Sequence, residues 1–129
     1  MKRIACVALA LLLLALCGCT THVNRNSTVE LVFTCNETSF RQTLPAEEAQ
    51  RVAAILDGKV YDPPSGGIPS CGYSLDVAIV IGLNRYCLAM DTCNGIYDVA
   101  AFRYFSVPDE DLEYLHGLFE KYGGYFPCV

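Results

Sequence analysis

Leu75-Asp76-Val77-Ala78-Ile79-Val80-Ile81-Gly82-Leu83-Asn84-Arg85-Tyr86-Cys87-Leu88-Ala89-Met90-Asp91 is the stretch that decides the fold. Leu75, Val77, Ile79 and Ile81 alternate with smaller or polar residues, and so do Tyr86, Leu88 and Met90. That period of two is the mark of a strand buried on one face. With Leu83-Asn84 as a two-residue turn, Ile81 faces Tyr86, Ile79 faces Leu88 and Val77 faces Met90. One face of the hairpin is then wholly apolar, which is the register that burial selects. The other face sets Asp76, Ala78 and Val80 against Asp91, Ala89 and Cys87. It is only half polar, so part of it is expected to be covered.

Toward the C-terminus, one or two further strands are expected within 96–106, with Arg103-Tyr104-Phe105 the clearest segment. A helix follows. Ser106 and Asp109 form a capping-box-like pair, and Asp109, Glu110 and Asp111 crowd the positive end of the helix dipole. Leu112, Leu115, Leu118, Phe119 and Tyr122 make its apolar stripe, and Gly123-Gly124 stops it. The apolar tail from Tyr125 to Val129 is expected to pack and to be held by Cys128.

Toward the N-terminus, Asp62-Pro63-Pro64-Ser65-Gly66-Gly67-Ile68-Pro69 reads as a loop. Before it, Pro45 opens a helix whose stripe is Ala49, Val52, Ala53 and Leu56, ending at Gly58. Val29 to Cys35 is rich in strand formers, Asn36-Glu37-Thr38 is a turn, and Ser39 to Thr43 is a return strand. The chain therefore predicts an α+β domain. Its sheet is an antiparallel meander of four to six strands, with two amphipathic helices packed on one face and disulfides as staples. No internal repeat or low-complexity tract interrupts it.

Residues 1–19 read MKRIACVALALLLLALCGC. Lys2 and Arg3 precede an apolar run from Ile4 to Leu16, too short to span a bilayer and of the length of a signal-peptide core. Leu16-Cys17-Gly18-Cys19 resembles a lipobox, with Cys17 the less usual residue. In bacterial lipoproteins the final cysteine receives a diacylglycerol, and the signal is cut just before it. The expected organisation is a removed signal at 1–18, a lipidated Cys19 with a flexible polar tether to residue 28, and one domain over 29–129. The resemblance implies a membrane held through the lipid, on the extracytoplasmic face.

Lys2 and Arg3 are two of nine basic residues, and all fourteen acidic ones follow Cys19, leaving a net charge of −7 after cleavage. That balance argues against nucleic acid and against docking on anionic head groups. Cys35, Cys71, Cys87, Cys93 and Cys128 remain, and exported cysteines are normally oxidised. The odd count leaves at least one unpaired or shared between chains. With no C-x-x-C and few histidines, neither a thioredoxin-like centre nor zinc is supported. The hairpin register favours Cys71–Cys93 first and Cys87–Cys128 second. The same register puts Asp76 opposite Asp91, and a tight turn at Asn94-Gly95 would add Asp98, three carboxylates that a cation such as calcium could relieve. A turn at Val99-Ala100-Ala101 would dissolve that triad.

Cys71-Gly72-Tyr73, Cys87, Asp91, Cys93, Tyr122-Gly123 and Phe126-Pro127-Cys128 resemble uncharacterised small cysteine-containing lipoproteins of Gram-positive bacteria, over roughly residues 30–129. The resemblance implies export and carries no activity. Catalytic motifs such as G-x-S-x-G, the P-loop and H-E-x-x-H are absent, and His116 is read as a partly buried structural residue. No cofactor is expected. The expected function is a non-enzymatic binding module for an extracytoplasmic protein, peptide or small ligand. The alternatives are a cation-binding structural or sensing domain on Asp76, Asp91 and Asp98, or an unrecognised hydrolase, which a pocket holding His116 beside a serine or carboxylate would favour.

Overall fold

The computed structural model describes residues 6–9, 11, 19–63, 72–91 and 93–126. Its sheet has six strands: β1 (Val29–Cys35), β2 (Thr38–Thr43), β3 (Val77–Ile81), β4 (Asn84–Leu88), β5 (Gly95–Asp98) and β6 (Arg103–Ser106). Two helices complete the domain, α1 (Ala46–Leu56) and α2 (Asp109–Gly123). Residues 6–9 and 11 are also helical. Among the described residues no helix is long and apolar enough to cross a membrane.

All neighbouring strands run antiparallel, in the order β2-β1-β3-β4-β5-β6. The α+β class and the sheet with helices are as expected, and the topology departs from a plain meander. After β2 the chain makes α1 and returns on the far side of β1, so β1 lies between β2 and β3. Leu31 and Phe33 thereby have strand partners on both flanks, Gln42 and Phe40 on β2, Ile79 and Val77 on β3.

The hairpin keeps its faces and changes its register. The turn is Gly82-Leu83, and Ile81 pairs with Asn84, Ile79 with Tyr86 and Ala78 with Cys87. Gly82 has φ +61°, and glycine first in a two-residue loop is what a type II′ turn requires. Leu83-Asn84 offers no such residue. The slip is two residues, an even number, so every side chain stays on its expected face.

Val77, Ile79, Ile81, Tyr86 and Leu88 join Val29, Leu31, Phe33, Ile96 and Phe105 in one buried cluster. Both helices contribute to that cluster, α1 through Val52, Ala53, Ile55 and Leu56, α2 through Leu115, Leu118 and Phe119. The helices run antiparallel to each other. Arg51 lies over the Tyr114 ring at 3.7 Å, and three residues earlier Glu48 meets Lys121 and Tyr122 further along α2. These contacts hold the Glu48 carboxyl below its ordinary range, chiefly through the Lys121 hydrogen bond.

Two helix starts differ from expectation. Pro45 and Pro108 occupy the N-cap positions, and neither helix has a side-chain cap. Ser106 cannot serve α2, because it is the last residue of β6 and pairs with Gly95. The acidic first turn, Asp109, Glu110 and Asp111, is left to stabilise that helix end.

Residues 19–28, expected as a flexible tether, are instead laid on the domain. Thr20 bridges Val60, and the Tyr61 N–H donates to the Cys19 carbonyl at 3.0 Å. Thr21 is fully buried; its hydroxyl donates to the Leu56 carbonyl at 2.5 Å and accepts the Lys59 N–H at 2.8 Å. The Asp57 carboxylate accepts the Val23 N–H at 3.0 Å and pairs with Arg25 at 3.3 Å. The segment thus supplies partners to the backbone groups that α1 leaves open at its C-terminal end.

The expected staples are not reproduced among the described residues. Cys35 and Cys87 are free thiols. Cys93 is disulfide-bonded, and Cys71 and Cys128 lie outside the described residues. The Cys87–Cys128 expectation is corrected: Cys87 is a free thiol, fully buried on the face of the sheet away from the helices.

Candidate functional site

The face of the sheet away from the helices is built by the alternate residues of each strand. One row crosses all six strands by direct pairing: Arg41, Val32, Ala78, Cys87, Tyr97 and Tyr104. At its β5–β6 end the row becomes aromatic. The Tyr97 and Tyr104 rings lie 4.7 Å apart, and Tyr73 leans over both, at 6.2 Å and 5.3 Å. Gly95 makes room for that ring, since a Cβ there would sit 2.5 Å from the Tyr73 hydroxyl. The three rings are half-buried and meet at tilted angles of 32–53°, forming one aromatic platform.

Burial pushes the Tyr73 hydroxyl up to about 12, helped by Tyr104 and Asp91, and raises that of Tyr104. Both phenols therefore stay protonated and can donate hydrogen bonds at any physiological pH. Beneath them Cys87 is fully buried, and burial pushes its thiol up to about 11. A thiol so held is neither nucleophile nor metal ligand.

Cys35, half-buried at the end of β1, should therefore react with a thiol reagent well before Cys87, whose modification should track global unfolding. The folded thiol of Cys87 titrates above its unfolded value of 9.0, so its contribution to stability is intact below pH 9 and lost as pH rises toward about 11. Urea unfolding from pH 8 to 11 should show this loss in the native chain and a smaller one in Cys87→Ala.

The three expected carboxylates are not brought together. Asp76 is exposed beyond the start of β3. Asp91 accepts the Gly72 and Cys93 N–H groups, each at 2.9 Å, which ties the chain before β3 to the β4–β5 connection. Asp98 lies opposite Tyr86 rather than Asp91, because the connection runs from 89 to 94 instead of turning tightly at Asn94-Gly95. The turn between β5 and β6 falls at 99–102, which is the arrangement that dissolves the triad. Asp98 is buried and accepts from the Tyr61 hydroxyl at 2.8 Å, Asn84 Nδ2 at 2.9 Å and the Ala101 N–H at 3.1 Å. Among the described residues no three His, Cys, Asp or Glu side chains are grouped to hold a metal.

His116 is half-buried and stacks on Phe126, with ring centroids 4.0 Å apart. Its Nε2 is buried without a hydrogen-bond partner, and burial lowers its pKa against the opposing pull of Glu120. The imidazole is packed and neutral. Its folded pKa lies below the unfolded value, so the stability it supports is present above about pH 6.5 and lost as pH falls. His116→Phe, which keeps the stack, should flatten the decline in unfolding free energy between pH 7 and pH 5.

A second concavity of about 420 Å³ lies at the edge where the docked N-terminal segment meets the turns. His22, Asn24, Ser27, Leu83, Asn84, Tyr86 and Ala100 are among its lining residues. This pocket was not legible from the sequence, and the tyrosine platform only in part. Tyr73 lies in irregular chain and His22 in a polar stretch, where no periodicity assigns a side chain to a face. Compared with known proteins, the chain matches no family model, no curated protein and no solved structure.

Proposed function

We propose that this chain is a lipid-anchored extracytoplasmic protein, acylated on Cys19, that binds a protein or peptide partner through the face of its sheet away from the helices. The tyrosine platform of Tyr73, Tyr97 and Tyr104 is the observation that carries the reading. Half-buried aromatics packed on one another with available donors have the make-up of interface anchors, large in contact area and low in ordering cost. Both described helices pack on the other face.

The lipobox-like Leu16-Cys17-Gly18-Cys19 supports the anchor. So does the apolar leader: Val7, Leu9 and Leu11 are helical and exposed, not packed into the domain. A Cys71–Cys93 staple belongs to the same proposal. Asp91 grips the N–H of Cys93 and of Gly72, the residue after Cys71, and such a bridge would tie the loop before Tyr73 to the platform.

The test is photo-crosslinking in intact cells, with the reactive group at position 97 or 104 and, as a control, at Glu113 on α2. One partner captured from the platform and not from α2, and lost in Tyr73→Ser, is the expected result. Equal capture from all three positions, or none from the platform, would overturn the binding face.

A further inference from the structure

We propose that the end of the sheet carrying the β3–β4 and β5–β6 turns rests directly on the bilayer, with Leu83 and Phe102 in the lipid interface. The proposal rests on acylation of Cys19, and it adds an orientation to that reading.

The first observation is that the anchor has no slack. The Cys19 carbonyl is already hydrogen-bonded to Tyr61, Thr20 is bridged to Val60, and Thr21 is buried. A lipid on Cys19 would therefore be attached to the folded body itself. His22, three residues on, lines the same pocket as Leu83 and Ala100. Three trans peptide units span at most about 11 Å between Cα atoms, so the acylated residue is close to both turns.

The second observation is what that end exposes. Leu83 is 106% exposed, Phe102 76% and Val60 69%. Leu83 and Phe102 stand at the tips of adjacent turns, joined where the Ala100 N–H donates to Asn84 Oδ1 at 3.0 Å. Val60 is the residue paired with Thr20. Among the described residues after Cys19, the one other large apolar side chain left exposed is Leu75, at the opposite end of β3. Large apolar residues at loop tips beside a lipid anchor are suited to shallow insertion among head groups.

The third observation is the placement of charge. The chain as a whole is acidic, yet at this end Arg25 pairs with Asp57 at 3.3 Å, Lys59 and Arg103 stand beside Asp57 and Asp62, and Asp98 is buried. The acidic excess stands elsewhere. β6 leads away from Phe102, and the first turn of α2, with Asp109, Glu110 and Asp111, follows its far end. Repulsion from an anionic surface would thus turn α2 outward and these turns inward.

The chain contains no tryptophan, which makes the test direct. Leu83→Trp, Phe102→Trp and the exposed control Glu113→Trp each provide a sole indole, in the full lipidated protein reconstituted in phosphatidylcholine–phosphatidylglycerol vesicles with brominated acyl chains. At least twofold quenching at 83 and 102, with none at 113, is the expected result. Equal quenching at all three, or none at any, on protein whose mass shows a diacylated Cys19 would overturn the orientation and leave the anchor standing. A Cys19 without acyl mass would overturn both. The three positions are exposed, so melting curves matching the native chain are the expected control for folding.

Discussion

Phe119→Ala is expected to lower the unfolding free energy by about 3–5 kcal/mol, the cost of deleting a fully buried aromatic ring and leaving a cavity. Phe119 is the ring through which α2 meets the sheet. It contacts Phe33 at 6.2 Å and Phe40 at 6.3 Å between centroids, and Phe126 of the tail at 5.4 Å. Phe33 is itself stacked on Phe40 and met edge-on by Tyr125, whose hydroxyl donates to the Cys35 carbonyl at 3.2 Å. Removing the central ring loosens the helix, β1, β2 and the tail together. For a domain of this size the loss is a large part of the total stability and corresponds to a fall in Tm of ~15 °C or more. Urea unfolding measures it directly. Phe119→Leu, which fills much of the space, should cost well under half as much; equal losses from both would show that ring contacts, not volume, dominate.

Asp98→Ala should cost about 3 kcal/mol, by a different route. The carboxylate is buried and satisfies three donors from three parts of the chain: Tyr61 after α1, Asn84 at the start of β4, and the Ala101 N–H in the β5–β6 turn. Alanine would leave all three without their acceptor, each costing about 1–3 kcal/mol where water cannot reach. The Tyr61 hydroxyl, raised by burial and then by its bond to Asp98, would lose part of that shift, visible as tyrosinate absorbance at lower pH. Asp98→Asn retains a carbonyl oxygen for the two N–H donors and an amide to meet the Tyr61 oxygen, so it should cost about 1 kcal/mol. A loss below 1 kcal/mol for the alanine variant would mean that water replaces the carboxylate.

Asp98 also shows where sequence reasoning stopped. As one aspartate among three it could be aligned with Asp76 and Asp91 only by assuming tight turns. The β4–β5 connection is longer than that, and the carboxylate went into a hydrogen-bond cluster instead. Thr21 is a similar case. A threonine in a polar run carries no pattern, and its burial follows from the backbone groups that the end of α1 leaves open. The tyrosine row was half legible: Tyr97 and Tyr104 sat in expected strands, but their pairing and the arrival of Tyr73 above them depend on registers that turn geometry sets.

The sequence by itself determined which segments became strands and helices and which side chains face inward. Those properties are local. The alternation of Val77, Ile79 and Ile81 and the stripe of Leu115, Leu118 and Phe119 choose a buried face whatever their partners, and a slip of two residues leaves that choice intact. Only the tertiary structure decided the order of the strands and the docking of residues 19–28. Those depend on contacts between segments far apart in the chain, made largely by backbone hydrogen bonds that carry no signature in residue type. They also decide the proposed orientation at the membrane, because a leash and a docked segment have the same composition and differ only in what they touch.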